Sequence, residues 1–152
     1  MMNKHIVQVF MGLLLLLPAV VYGGADDILG VWNNQEKSAK IELFKCGEKY
    51  CGKIVELNEP NYPDGSEEGV PGTPKLDNNN PDKNLRKTPR LGLVIVRDFV
   101  HAGDNKWVDG KVYDPKKGKT YSGKMTLVSM SQLELRGFIG ISLLGRTAKW
   151  TR

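Results

Sequence analysis

The sequence predicts an all-β protein, an antiparallel barrel or sandwich of about eight short strands with one long loop. Three observations lead there. Apolar residues alternate with polar ones in several short runs after residue 29. The breaks between runs carry turn residues, and no stretch beyond residue 25 holds a long 3.6-residue amphipathic period. With 152 residues, 40% hydrophobic and 26% charged, the chain is one domain's worth of ordinary globular composition. That excludes a disordered polyelectrolyte. Two cysteines are too few for a disulfide-dense mini-scaffold or a four-ligand structural zinc site.

The first 25 residues read as a leader rather than as part of the fold. Met1–His5 carries Lys4 and no acid, an apolar run extends from Ile6 to Val21, and Gly23, Gly24 and Ala25 follow. This is the layout of a secretory signal peptide, with cleavage expected after Gly23 or Ala25. Gln8, Gly12 and Pro18 interrupt a run already short of a bilayer's width, so no stable membrane anchor is expected. The domain boundary is therefore 1–25 for the leader and 26–152 for one β domain. The address is outside the cytoplasm, in a periplasm or the medium.

Gly30-Val31-Trp32 opens the first strand. Ala39–Cys46 and Cys51–Leu57 flank Gly47-Glu48-Lys49-Tyr50 as a hairpin that sets Cys46 and Cys51 opposite each other. Facing strand positions lie within disulfide reach, and export supplies the oxidant. Further strands are expected at Leu91–Phe99, Lys106–Tyr113, Thr120–Val128, Gln132–Phe138 and Leu144–Thr151. Tyr121, Gly123, Met125 and Leu127 alternate with Thr120, Ser122, Lys124 and Thr126, and Leu133 and Leu135 with Glu134 and Arg136. Asp114-Pro115-Lys116-Lys117-Gly118 has the proline and glycine that a tight turn uses. Gly-Lys-apolar recurs at Gly52, Gly110 and Gly123, where glycines suit the bends that curl a sheet.

Leu91–Phe99 departs from simple alternation. Leu91, Leu93, Ile95 and Phe99 share one face while Val94 and Val96 make the other apolar too. Its outer side is expected to be covered, by the long loop or by a partner chain, a second copy included. Arg97 falls on the Leu93–Ile95–Phe99 face, where it needs an anion or a route to water. The long loop, Asn58–Arg90, holds six prolines, at 60, 63, 71, 74, 81 and 89. Its Asp77-Asn78-Asn79-Asn80-Pro81-Asp82 string is rich in oxygen ligands but has Asp82 and Thr88 where a calcium loop needs Gly and Glu. Turn and cap chemistry explains it better, and no metal or cofactor is expected.

Loss of Lys4 with the leader lowers the formal charge from +5 to +4 and leaves His101 as the remaining histidine. Charge that sparse is a solvated surface and not a nucleic-acid groove. His101 falls in the polar turn His101–Asn105, no G-x-S-x-G or H-E-x-x-H string is present, and carboxylate spacings such as Asp109 to Asp114 are uninformative on strands. The chain is not expected to be an enzyme.

The strings CGKIVELNEPNYPDG, GTPKLDNNNPDKNLR, LGLVIVRDFV, KWVDGKVYDPKKGKTYSGKM and LELRGFIGISLLGRTAKWTR resemble the bacterial domain-of-unknown-function family 2147, from Leu29 to Arg152. That resemblance implies an exported, small up-and-down β-barrel of lipocalin-like (calycin) type, and brings no established activity. It makes Gly30-Val31-Trp32 similar to the G-x-W that opens a lipocalin barrel, with Arg146 or Arg152 as the arginine that packs on the tryptophan. A barrel of this size can enclose one small, partly apolar ligand. Trp32, Arg97, Tyr113, Arg136 and Arg146 are its candidate contacts. The alternative is a packed barrel that serves as an envelope interaction module. An enzyme acting on envelope material ranks below both.

Overall fold

The computed structural model describes residues 24–152. The expected signal peptide, up to Gly23, lies outside these residues. Eight strands form one closed barrel in sequence order: β1 (Gly30–Asn33), β2 (Ala39–Cys46), β3 (Lys49–Leu57), β4 (Val94–Gly103), β5 (Lys106–Asp114), β6 (Lys119–Ser129), β7 (Gln132–Phe138) and β8 (Arg146–Thr151). Each strand pairs antiparallel with the next, which makes the barrel up-and-down. Tight connections permit it. Gly47 turns at φ 68°, and Asp104 and Asn105 turn at φ 48° and 57°, a backbone region that Gly, Asp and Asn enter at low cost.

The β2–β3 hairpin is tighter than expected. Cys46 pairs with Lys49 and Cys51 with Phe44, so the cysteines are diagonal neighbours rather than directly opposite. Their Cα atoms are 5.8 Å apart and the disulfide is formed.

One end of the barrel is solid. Trp32, Trp107, Tyr50, Phe99, Met125 and Leu133 are fully buried there, with Ile28 of the N-terminal segment beneath them. The Trp107 ring meets Tyr50 edge-on at 6.2 Å. Between β8 and β1 the ladder has a single pair, Asn33 with Thr151, and side chains close the seam. The Arg152 guanidinium lies 4.2 Å over the Trp32 ring and donates to the carbonyls of Asp27, Leu29 and Met130 at 2.7–2.8 Å. Trp32 Nε1 donates to Ile28 O at 2.8 Å. Of the two arginines proposed for this role, Arg152 fills it. Arg146 lies at the opposite end of β8.

Strand β4 begins and ends later than the run Leu91–Phe99, and its faces are not those of simple alternation. Asp98 in β4 and Asp109 in β5 adopt φ 63° and 61°. Each adds a residue against the strand on its other side: Val96 and Phe99, three apart, face Gly52 and Tyr50, and Trp107 and Gly110, three apart, face Met125 and Gly123. Between them β4 and β5 stay in register from Val96–Val112 to Val100–Val108. The bulge turns Val96 and Phe99 inward together and leaves Arg97 exposed on the outer face. His101 also differs from the expected turn position. It sits in β4, half-buried, with its ring 5.0 Å from Trp107.

The long loop is a stitched flap rather than a slack connection. Asn61 bridges Pro74 and Leu76 bridges Pro89. The buried Tyr62 hydroxyl accepts from Leu76 N and from the Asn78 amide. Asp77 is 0% exposed. Its carboxylate accepts from the Tyr113 hydroxyl and from the Asn80 amide, each at 2.7 Å. Asn79 reaches the β5–β6 turn at Lys116 O. Since Val112 points inward, Tyr113 faces out, and Ile95 stands on that same outer face one step beyond the Val96–Val112 pair. The long loop reaches this outer face through the Asp77–Tyr113 bond.

The Gly-Lys-apolar glycines serve packing as well as bending, the ladder shifting register beside Gly52 and beside Gly110. A Cβ on Gly110 would overlap the Phe99 ring, and one on Gly123 would stand 2.6 Å from it. A Cβ on Gly52 would crowd Leu43 at 2.8 Å. These positions lack side chains because large inward neighbours occupy the space.

Candidate functional site

The opposite end of the barrel is open. A cleft of about 670 Å³ enters the barrel between the β1–β2, β5–β6 and β7–β8 connections. Inward residues of the last four strands form its walls: Val112, Tyr121, Leu135, Gly137 and Ala148. Phe138, Ile139 and Leu144 make an apolar lip, and Gln35, Glu36, Asp114, Lys117 and Arg146 make a polar rim.

The strand registers explain why this end is hollow. From closed end to mouth, the β7–β8 pairs run Leu133–Trp150, Leu135–Ala148 and Gly137–Arg146. Two large side chains give way to one, and then to glycine beside a charge. On β5–β6 the inward pairs run Trp107–Met125, Gly110–Gly123 and Val112–Tyr121. Phe99 lies over the Gly110–Gly123 pair and forms a floor. Gly137 meets only ordinary contacts, Tyr121 Cβ at 3.6 Å from its would-be Cβ, so the volume beside it is empty.

Rim charges are unevenly matched. Lys117 Nζ stands 3.9 Å from Asp114, and Asp114 also accepts from Lys116 N. Among the described residues Arg146 makes no ion pair and no side-chain hydrogen bond. A cation unmatched at the edge of an apolar cleft suits a ligand with an apolar body and an anionic or polar head.

Of the five residues proposed from sequence as ligand contacts, Arg146 lines this cleft. Trp32 is buried at the other end, Arg97 is exposed on the outer wall, and Tyr113 lies outside beneath the loop. Arg136 points outward along β7 and binds the β7–β8 connection through Ser142 O, Leu143 O and Thr147 Oγ1. The structure thus does not gather them into one site. Gln35, Tyr121, Gly137 and Leu144 were missed. Inward alternation at the mouth ends of β6–β8 is the signal that points to Tyr121 and Gly137.

The groups whose protonation is displaced lie away from the cleft. At the closed end the Asp26 carboxyl is held below its ordinary range by the Tyr50 hydroxyl and then Lys45, and Lys45 is raised mainly by Tyr50. Burial, and then its bond to Asp77, raises the Tyr113 phenol. Among the described residues no cluster of His, Cys, Asp or Glu could hold a metal ion, and no helix is long and apolar enough to cross a membrane.

Comparison with known proteins agrees with this architecture. Protein HP1028 from Helicobacter pylori, described as belonging to the lipocalin family, matches with 27% identity and a TM-score of 0.68. The match covers 82% of this chain and 81% of that one. Among curated proteins nothing matches. The model of the family described as "Uncharacterized protein conserved in bacteria (DUF2147)" matches residues 30–152. With an eight-stranded closed barrel, a G-x-W tryptophan stacked by Arg152 and a match over its whole barrel, the chain belongs to the DUF2147 family.

Proposed function

We propose that this is an exported, non-enzymatic protein that holds a small, partly apolar ligand in the mouth cleft. The observation that carries the reading is the half-filled barrel: solid from Trp32 to Phe99, and open from Gly137 to the rim. A cleft of about 670 Å³ lies within the range of small-molecule sites, which pair an apolar lining with a few polar groups. Arg146 and Lys117 are the head-group contacts, and Tyr121, Leu135 and Ala148 the apolar ones. The lipocalin-family likeness supports the reading by analogy of fold.

Export is supported by the Cys46–Cys51 disulfide, which belongs in an oxidising compartment. Cleavage after Gly23 suits the structure better than cleavage after Ala25. Gly24 closes a turn with Asp27, and Ala25 packs on the core.

Native mass spectrometry of protein purified from its export compartment tests the ligand. The expected result is a discrete adduct that disappears in Gly137→Leu, whose side chain would enter the cleft without meeting backbone. A bare wild-type mass, together with no uptake of an environment-sensitive apolar dye that Gly137→Leu blocks, would overturn the reading.

A further inference from the structure

We propose that the β7–β8 connection and the basic residues beside it dock the barrel mouth on an anionic lipid surface. Four aliphatic side chains stand in solvent within six residues: Ile139 (67% exposed), Ile141 (60%), Leu143 (83%) and Leu144 (77%). A soluble protein rarely leaves so dense an apolar group uncovered without a use for it.

Three successive carbonyls at the apex of this tip are already satisfied. Leu144 N donates to Ile141 O and Gly145 N to Ser142 O. Arg136 adds Nε to Ser142 O at 2.8 Å and Nη2 to Leu143 O at 3.1 Å, with Nη1 on Thr147 Oγ1. The carbonyls of residues 141, 142 and 143 therefore each have a donor. An apolar surface that leaves water for the edge of a bilayer gains from carbonyls that are already paired, as these three are.

Charge around the tip selects the lipid. Lys117 and Arg146 share the mouth with Ile139 and Leu144, and Lys116 and Lys119 belong to the same β5–β6 turn. Against them stand Glu36 and Asp114, the latter beside Lys117. Aliphatic insertion combined with attraction of lysine and arginine to anionic headgroups is the physics of peripheral membrane binding. A protein partner is a poorer fit, because the four exposed side chains are aliphatic and the neighbouring aromatic, Phe138, is half-buried, whereas exposed aromatic anchors dominate protein interfaces. This docking does not depend on the cleft being occupied, so a cleft-filled Gly137→Leu protein should still bind.

The test is co-sedimentation of the purified protein with vesicles of phosphatidylglycerol and phosphatidylcholine, against phosphatidylcholine alone. Binding should require phosphatidylglycerol and weaken with salt. Ile141→Asp combined with Leu143→Asp should lower it more than about tenfold while the melting temperature stays unchanged, since both side chains are exposed. Separately, Ile141→Trp should shift its emission to the blue on vesicles and be quenched by brominated acyl chains. Absent binding, or binding that the double substitution leaves intact, would overturn the proposal. So would concentration-dependent dimerisation abolished by the same substitutions, which would assign the tip to a second copy.

Discussion

The two ends of this barrel are built on the same eight strands and obey the same inward–outward alternation, yet they are physically opposite. At the closed end Trp32, Trp107, Tyr50 and Phe99 are all at most 2% exposed, and Arg152 spends its donors on three main-chain carbonyls. At the open end the inward positions hold Gly137, Ala148 and Val112, and four aliphatic side chains face solvent. Stability is thus concentrated in one half, which leaves the other free to hold volume and expose apolar surface. A barrel uniformly packed from end to end would need no such division.

Substitutions at the two ends should separate accordingly. The largest effect is expected from Trp32→Ala, which removes a fully buried indole and the surface on which Arg152 stacks across the thin β1–β8 seam. A loss of about 3–5 kcal/mol should appear in urea unfolding. Unchanged stability would mean that the seam does not depend on this contact.

Asp77→Ala should follow at about 1–3 kcal/mol, because it leaves the Tyr113 hydroxyl and the Asn80 amide without their acceptor. Hydrogen exchange would show the loss concentrated in residues 58–93 and the outer face of β5. Equal loss across the barrel would instead make the flap part of the main cooperative unit.

A smaller effect is expected at alkaline pH. The Tyr113 phenol is raised in the fold, chiefly by burial and then by Asp77, so the folded state favours the neutral form. Its contribution is fully present below the unfolded value of about 10 and declines as pH rises beyond it. Melting temperatures from pH 8 to 11 should fall less steeply in Tyr113→Phe than in wild type.

Smallest of all, Gly137→Leu should leave stability within about 1 kcal/mol of wild type, in contrast with any comparable insertion at Gly110, where overpacking costs about 1–3 kcal/mol or more. A collapse in Gly137→Leu would show that the mouth is packed after all.

Much of this architecture is legible along the chain. The strand runs, the Asp114–Gly118 turn and the cysteine hairpin follow from local chemistry: alternation places side chains, and glycine, proline and asparagine place turns. The opening G-x-W is legible through the family resemblance. Arg97 shows where that reasoning stops. Counting by two puts it with Phe99, but Asp98 in a left-handed conformation adds a residue against β3 and reverses the face. Aspartate enters that region more readily than most residues, yet nothing local says which aspartate will. The tip at Ile139–Leu144 is hidden for a related reason: an apolar string between two glycines reads like strand ends, and its exposure depends on what packs over it.

The chain alone therefore supplies the class, the number of strands and the disulfide, because each arises from interactions among near neighbours. The choice of Arg152 over Arg146, the loop stitched through Asp77 to Tyr113 and the hollow beside Gly137 come from the closed barrel. Each depends on groups far apart in sequence that meet when eight strands close into a ring, and on whether the space between them is then filled.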